Sequence, residues 1–181
     1  MWQERYMNAI QHAVAAHNGQ TRFNSAEPYV MHPIRVSRKI YDLTGSLMLA
    51  TGGVCHDLLE DTKTTEADIT EFAGADVAGL VKSVTKNMSL PKAEREDEFL
   101  ERYHYAGVDT VIIKLADRSD NLTDLNVQSE SFKLKYKANT WQLLMSTPIE
   151  AVNNQIAHFL INEVIVKAGL LDDKSLKWLE R

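Results

Sequence analysis

Cysteine is almost missing from this chain: Cys55 stands alone among 181 residues, so no intrachain disulfide can form. That excludes the staple framework of a small secreted domain and points to a reducing, cytoplasmic setting. Basic residues are in deficit as well. Lys and Arg number 20 against 25 Asp and Glu, a net charge of -5, and such a surface is poorly suited to broad binding of nucleic acid or an anionic membrane. Long apolar runs are absent: stretches such as Val111 to Leu115 are interrupted by charge far short of the roughly 20 residues a membrane span requires. Glu4, Arg5, Gln11 and His12 break up the first twenty residues, so no signal-peptide core is visible there. A chain of this length buries about 70% of its unfolded surface, enough for a core without staples or a structural metal.

Only 4 prolines and 8 glycines are present, and apolar residues return at three- and four-residue steps. The expectation is an all-α fold, a compact helical bundle in which residues 1–181 form one domain. Trp2, Tyr6, Ala9, Ile10, Ala13 and Val14 make one stripe of a first helix that stops near Asn18-Gly19. Met31 to Leu43 reads as a second helix, with Pro33 tolerated in its first turn, and Leu47 to Leu59 as a third, apolar and central. Thr64 or Thr65 is expected to cap a short helix ending at Phe72, with others over 76–84, 92–105, 111–125, 132–144 and 149–166 before an amphipathic tail. No internal repeat or long linker is found.

Against this background Cys55-His56-Asp57-Leu58-Leu59-Glu60-Asp61 stands out, because an apolar helix suddenly presents one imidazole and three carboxylates. Four-residue spacing on a continuous helix stacks His56 above Glu60 and Asp57 above Asp61. Glu60 and Asp61 would then lie near a helix C-terminus, where the macrodipole disfavours anions by ~0.3–1 kcal/mol each. A nearby cation would offset that cost; a solvated loop beside a core histidine is the plainer explanation. A second stripe, Asp117, Asp120, Asn121 and Asp124 at i, i+3, i+4 and i+7, follows the apolar Val111-Ile112-Ile113. Buried carboxylates there need a metal or cations such as Lys114 and Arg118, whereas a solvated face needs neither. Taken jointly, His32 of Pro28-Tyr29-Val30-Met31-His32-Pro33, His56-Asp57 and Asp117 are a suitable donor set for a divalent transition ion.

These segments, with Ala16-His17-Asn18-Gly19-Gln20-Thr21-Arg22, Val84-Thr85-Lys86 and Lys114-Leu115-Ala116-Asp117-Arg118-Ser119-Asp120-Asn121-Leu122, resemble the HD-domain hydrolases of the RelA/SpoT type. The likeness runs from about Tyr6 to Asn126 and is strongest to the single-domain small alarmone hydrolases, the branch of the metazoan SpoT homologs. It implies metal ligation, typically of manganese, by His32, His56, Asp57 and Asp117. It implies that Glu60 and Asp61 position and activate the attacking water, that Asn121 is an active-site residue and that Arg22 lies beside the nucleotide. Asp124, at the end of the stripe, is grouped with the substrate-binding residues. Lys86, Lys92 and Arg95 are cations able to meet the pyrophosphate, or else members of a solvated helix.

Two departures from the family pattern stand out. Phe23 occupies a position where many members carry a second basic residue, so stacking on a base without hydrogen-bond reading is expected there. Asp120 replaces an aromatic residue or histidine, and its charge is expected to oppose a polyphosphate. The implied activity is hydrolysis of the 3′-pyrophosphate of ppGpp or pppGpp to GDP or GTP and pyrophosphate, with a small-molecule nucleotide as the partner and no synthetase segment. A metal-dependent phosphatase on another nucleotide or phosphorylated dinucleotide, and a nucleotide sensor without turnover, are the alternatives.

Overall fold

The computed structural model describes residues 1–22 and 25–170. Among these the secondary structure is helical, and extended pairing is limited to an isolated bridge between Thr21 and Pro28. The helices are α1 (Trp2–Ala16), α2 (Met31–Thr44), α3 (Leu47–Cys55), α4 (Leu58–Asp61), α5 (Glu66–Ala73) and α6 (Ala75–Val84). They are followed by α7 (Arg95–Tyr103), α8 (Val108–Thr123), α9 (Glu130–Met145), α10 (Ile149–Val152) and α11 (Gln155–Ala168), with a 3-10 turn at Leu125–Val127. No described helix is long and apolar enough to cross a membrane.

The apolar stripes close two adjoining cores. Ala9, Ala13, Val54, Leu58, Ile69, Val77 and Val81 bring α1, α3, α5 and α6 together. Val36, Ile40, Ile113, Leu115, Leu144, Leu160 and Ile161 join α2, α8, α9 and α11. Met48 packs against both. As its composition suggests, α3 is central: every residue from Leu49 to Cys55 is buried.

Several helix boundaries differ from the sequence expectation, α8 starting three residues early at Val108 among them, and three have a local cause. The third helix stops at Cys55, because the His56 ring turns back so that Nδ1 sits 2.8 Å from the Gly53 carbonyl, and Asp57 (φ -96°, ψ -5°) becomes the N-cap of α4. The charged helix starts at Arg95 because Glu94 N–H closes a turn on the Pro91 carbonyl at 2.9 Å. The last expected helix divides at Asn153-Asn154, where the Asn154 side chain accepts from the N–H groups of Ile156 and Ala157 and so caps α11. The amphipathic tail and Phe23 lie outside the described residues.

α3 lies close against α2 at Gly53. A methyl group there would stand 2.8 Å from Ile40 Cδ1 and 3.1 Å from Ser37 Cα, and the backbone of α2 cannot retreat as a side chain can. Gly79, in α6, is the contrasting case, since an added Cβ meets nothing within 4 Å. Gly53→Ala is expected to lower stability by about 1–3 kcal/mol through overpacking. Gly79→Ala should raise it by about 0.5–1 kcal/mol through helix propensity. Urea unfolding of both variants checks the pair; a shift of the same sign in each would remove the argument for a tight helix crossing.

Candidate metal centre

Three elements deliver the centre. α2 starts at Met31 and carries His32 in its first turn, the break after α3 presents His56 and Asp57, and the buried face of α8 supplies Asp117. His32 and His56 are 1% and 3% exposed, with rings edge-to-face at 5.1 Å. His32 Nε2 lies 3.5 Å from Asp57 Oδ2 and 3.2 Å from Asp117 Oδ1. His56 Nε2 lies 3.1 Å and 3.6 Å from the same two oxygens. Donor atoms of His32, His56 and Asp57 all fall within 4.8 Å of one another.

Hydrogen bonding fits this set to a cation. His56 Nδ1 faces a carbonyl, which only accepts, so it carries the proton and leaves Nε2 as the free donor atom. That Nε2 is buried and has no hydrogen-bond partner. His32 Nδ1 likewise donates to Asp120 Oδ2 at 2.7 Å, turning its Nε2 to the centre. An imidazole oriented by a carboxylate or carbonyl behind it is the usual support of a metal ligand. The charge balance agrees. Burial alone would lower the His56 pKa, but Asp57 and Asp117 outweigh it and hold it well above the ordinary histidine value. Against burial, His56 holds Asp57 low, and Lys114 with the imidazoles holds Asp117 low. Positive charge is required where these atoms face one another, and a divalent ion held by them would supply it in place of protons.

A surrounding network fixes the candidate ligands. Lys114 Nζ donates to Asp117 Oδ2 at 2.9 Å, and Asn121 Nδ2 donates to Asp117 Oδ1. Arg118 instead turns away, with Nη1 on Thr140 Oγ1 at 3.1 Å and its guanidinium over the Tyr136 ring. The expectation that Asp120 opposes a polyphosphate is corrected by its contacts: Arg35 holds both of its oxygens, at 2.9 and 3.1 Å, and His32 takes one. Burial would raise the Asp120 pKa, yet His32 and Arg35 bring it down to about 2. Its charge is neutralised from behind the centre.

Glu60 and Asp61 stand in α4, beyond the break. The Asp61 N–H still bonds the Asp57 carbonyl at 2.9 Å, so Asp57 stays above Asp61 as the four-residue spacing expects, and both acids close the single turn of α4. Glu60 Oε1 accepts from Lys86 N–H at 2.7 Å. The Tyr29 hydroxyl lies 2.6 Å from Asp57 Oδ2 and 3.1 Å from Asp61 Oδ2. Burial, and after it Asp57, raises the Asp61 pKa, while burial and Asp57 push the Tyr29 phenol far up, so it keeps its proton. Glu60 and Asp61 line an open cleft of about 750 Å³ with His12, Gln20 and Lys63. A smaller cavity of about 220 Å³ is bounded by Arg22, Tyr29, Asn121, Asp124 and Tyr136.

Of the substrate-binding candidates, Arg22 and Asp124 meet directly: Arg22 Nη2 donates to Asp124 Oδ2 at 2.8 Å and to Asn121 Oδ1 at 3.0 Å. Lys86 reaches the centre through its backbone, while its ammonium pairs with Glu96 at 2.7 Å. Arg95 folds its guanidinium onto the carbonyls of Leu90 and Met88 and so braces its own loop. Lys92 is exposed in the turn before α7. Sequence reasoning missed Tyr29, Arg35 and the Gly53 carbonyl. Tyr29 was within reach, three residues before His32; Arg35 and Gly53 act through contacts that spacing does not encode.

Residues 9–144 match the HD domain family. The chain is 37% identical over 131 residues to guanosine-3′,5′-bis(diphosphate) 3′-pyrophosphohydrolase MESH1 of Drosophila melanogaster, covering 69% of this chain and 72% of that protein. It is 33% identical over 141 residues to GTP pyrophosphokinase of Myxococcus xanthus, covering 73% of this chain but 18% of that longer protein. The solved structure of a metazoan ortholog of SpoT that hydrolyzes ppGpp superposes with a TM-score of 0.80 at 29% identity, over 92% of this chain and 97% of the other. The chain belongs to the HD domain family, in the branch of the metazoan SpoT homologs.

Proposed function

We propose that this protein is a metal-dependent hydrolase that removes the 3′-pyrophosphate of guanosine tetra- or pentaphosphate, giving GDP or GTP and pyrophosphate. The observation that carries this reading is the convergence of His32, His56, Asp57 and Asp117, with the buried His56 Nε2 facing both carboxylates, beside two further carboxylates. Relatives that share the fold carry that activity in their names. We assign the four residues as ligands of one divalent ion, manganese, and residues 1–181 as one cytoplasmic HD-type domain. Met48, which packs on both cores, supports the single domain, and the buried, unpaired Cys55 agrees with a reducing compartment.

A divalent ion held there would supply a Lewis acid for the phosphoryl oxygens and make water a better nucleophile. The chain's own groups do the rest. Glu60, fixed by Lys86 N–H, and Asp61, beside Tyr29, are set to orient a water and take its proton as its oxygen joins the phosphorus. The raised pKa of Asp61 suits a group that must hold that proton and return it to the departing ribose 3′ oxygen. Tyr29 and Tyr136 bound the smaller cavity with aromatic faces suited to a base, and Arg22, Asn121 and Asp124 supply donors and acceptors along its polar side. Lys86 and Lys92 remain the proposed cations for the pyrophosphate, while the Arg95 guanidinium is taken up by the carbonyls of Leu90 and Met88.

Turnover of ppGpp with Mn²⁺, read as pyrophosphate against orthophosphate, tests the activity: pyrophosphate is expected, and orthophosphate would favour a phosphatase. Purified His56→Ala should lose most of its metal, and full occupancy with wild-type turnover would remove the ligand assignment. Glu60→Gln should keep ion and substrate affinity while kcat falls ~10²-fold or more; loss of metal at an unchanged rate per bound ion would reverse its role. Asp120→Asn should weaken Mn²⁺ binding by roughly 10–100-fold through the orientation of His32, which isothermal titration measures directly.

A further inference from the structure

Tyr29 is absent from every role assigned above except as a wall of the smaller cavity, yet its hydroxyl stands between the two kinds of carboxylate in the site. It is 2.6 Å from Asp57 Oδ2 and 3.1 Å from Asp61 Oδ2. The first of these oxygens is the one that both imidazole Nε2 atoms face. A phenol has one proton to donate, and that proton prefers the ring plane, so the hydroxyl points to one oxygen or the other. The ring itself is held. His17 packs against it with centroids 4.9 Å apart, His17 Nδ1 donates to Gln20 Oε1 at 2.7 Å, and Gln20 Nε2 donates to the Asp61 carbonyl at 2.9 Å. Buried His17 and half-buried Gln20 thus tie the back of the tyrosine to the residue its hydroxyl reaches.

We propose that Tyr29 is a positioning residue whose hydroxyl proton moves by rotation from Asp57 to Asp61 when a cation occupies Asp57 Oδ2, so that the water-directing carboxylate is oriented only in the loaded centre. The reason is competition for lone pairs. Without a cation, Asp57 Oδ2 is the nearer acceptor. A cation drawing on that oxygen makes it the poorer one, and Asp61 is within reach without movement of the ring. No bond other than a hydrogen bond is made or broken, and the proton stays on the phenol oxygen. This inference rests on the metal-centre reading above and adds to it a link between metal loading and Asp61.

Two measurements on the full chain test it. With ¹³Cζ-labelled tyrosine and diamagnetic Zn²⁺, the Tyr29 resonance, assigned by its loss in Tyr29→Phe, should shift on metal addition. In Asp61→Ala that shift should be at least halved; an equal shift in both proteins overturns the proposal. In turnover of ppGpp, Tyr29→Phe should lower kcat of the Mn²⁺-saturated enzyme roughly 10–100-fold, the range for a hydrogen bond to a charged group. KM and Mn²⁺ affinity should stay within about threefold. In the Asp61→Asn background the same substitution should change kcat less than about twofold, because two groups acting as one unit are not additive. Full loss in that background, or loss of metal affinity with kcat intact, assigns Tyr29 a different role. If the wild-type protein leaves ppGpp untouched, the functional reading fails, and the Zn²⁺ titration still decides the role of Tyr29.

Discussion

Two carboxylates, Asp57 and Asp117, face two imidazoles where water scarcely reaches, and much of the molecule is arranged around the positive charge they require. Three of the four have a remaining atom engaged from behind, and Asp57 is reached at the oxygen that faces the imidazoles. Gly53 O takes His56 Nδ1, Asp120 takes His32 Nδ1, Lys114 takes the outer oxygen of Asp117, and Tyr29 reaches Asp57. A buried polar group left unmatched is costly, so these contacts also limit how α2, the end of α3 and α8 can be set against one another. The tight crossing at Gly53 serves the same geometry, because it brings the first turn of α2 to the break that follows α3.

The layers of charge alternate outward. Carboxylates at the centre are backed by Lys114, and Asp120 behind His32 is backed by Arg35, which also holds Glu27 at 2.6 Å. On the open side the order differs. Glu60 and Asp61 face a cleft, with a backbone N–H and a phenol as their nearest donors rather than a full opposite charge. Burial and Asp57 raise the Asp61 pKa, whereas against burial the Lys114 ammonium and the imidazoles hold Asp117 low. One residue type therefore meets a full opposite charge in one place and only neutral donors a few ångströms away, the difference lying in the neighbours.

Much of this was legible in the residues. Helical periodicity and the scarcity of breakers specified an all-α bundle with a central third helix, since burial of an apolar stripe depends on local spacing. His32, His56, Asp57 and Asp117 stood out because polar groups in apolar segments need a reason, and that reason can be stated before any coordinates exist. Less legible were the boundaries where one side chain interrupted a helix: the His56 turn onto Gly53, which ends α3 at Cys55 and starts α4 at Leu58, and the Asn154 cap that divides the last helical stretch.

The tertiary structure alone decided what stands behind each ligand. Asp120 reads in sequence as an exposed charge beside Asn121, yet it orients His32 and is neutralised by Arg35, 85 positions away. Arg95 reads as a phosphate cation, but its guanidinium closes on its own loop. Tyr29 reads as one aromatic residue of a loop, but it bridges Asp57 and Asp61. Chain-local rules act over three or four residues and so determined the helices and the chemical types of the candidate ligands. Partnerships between distant charges depend on which helix faces pack together, and that was settled only when the two cores closed.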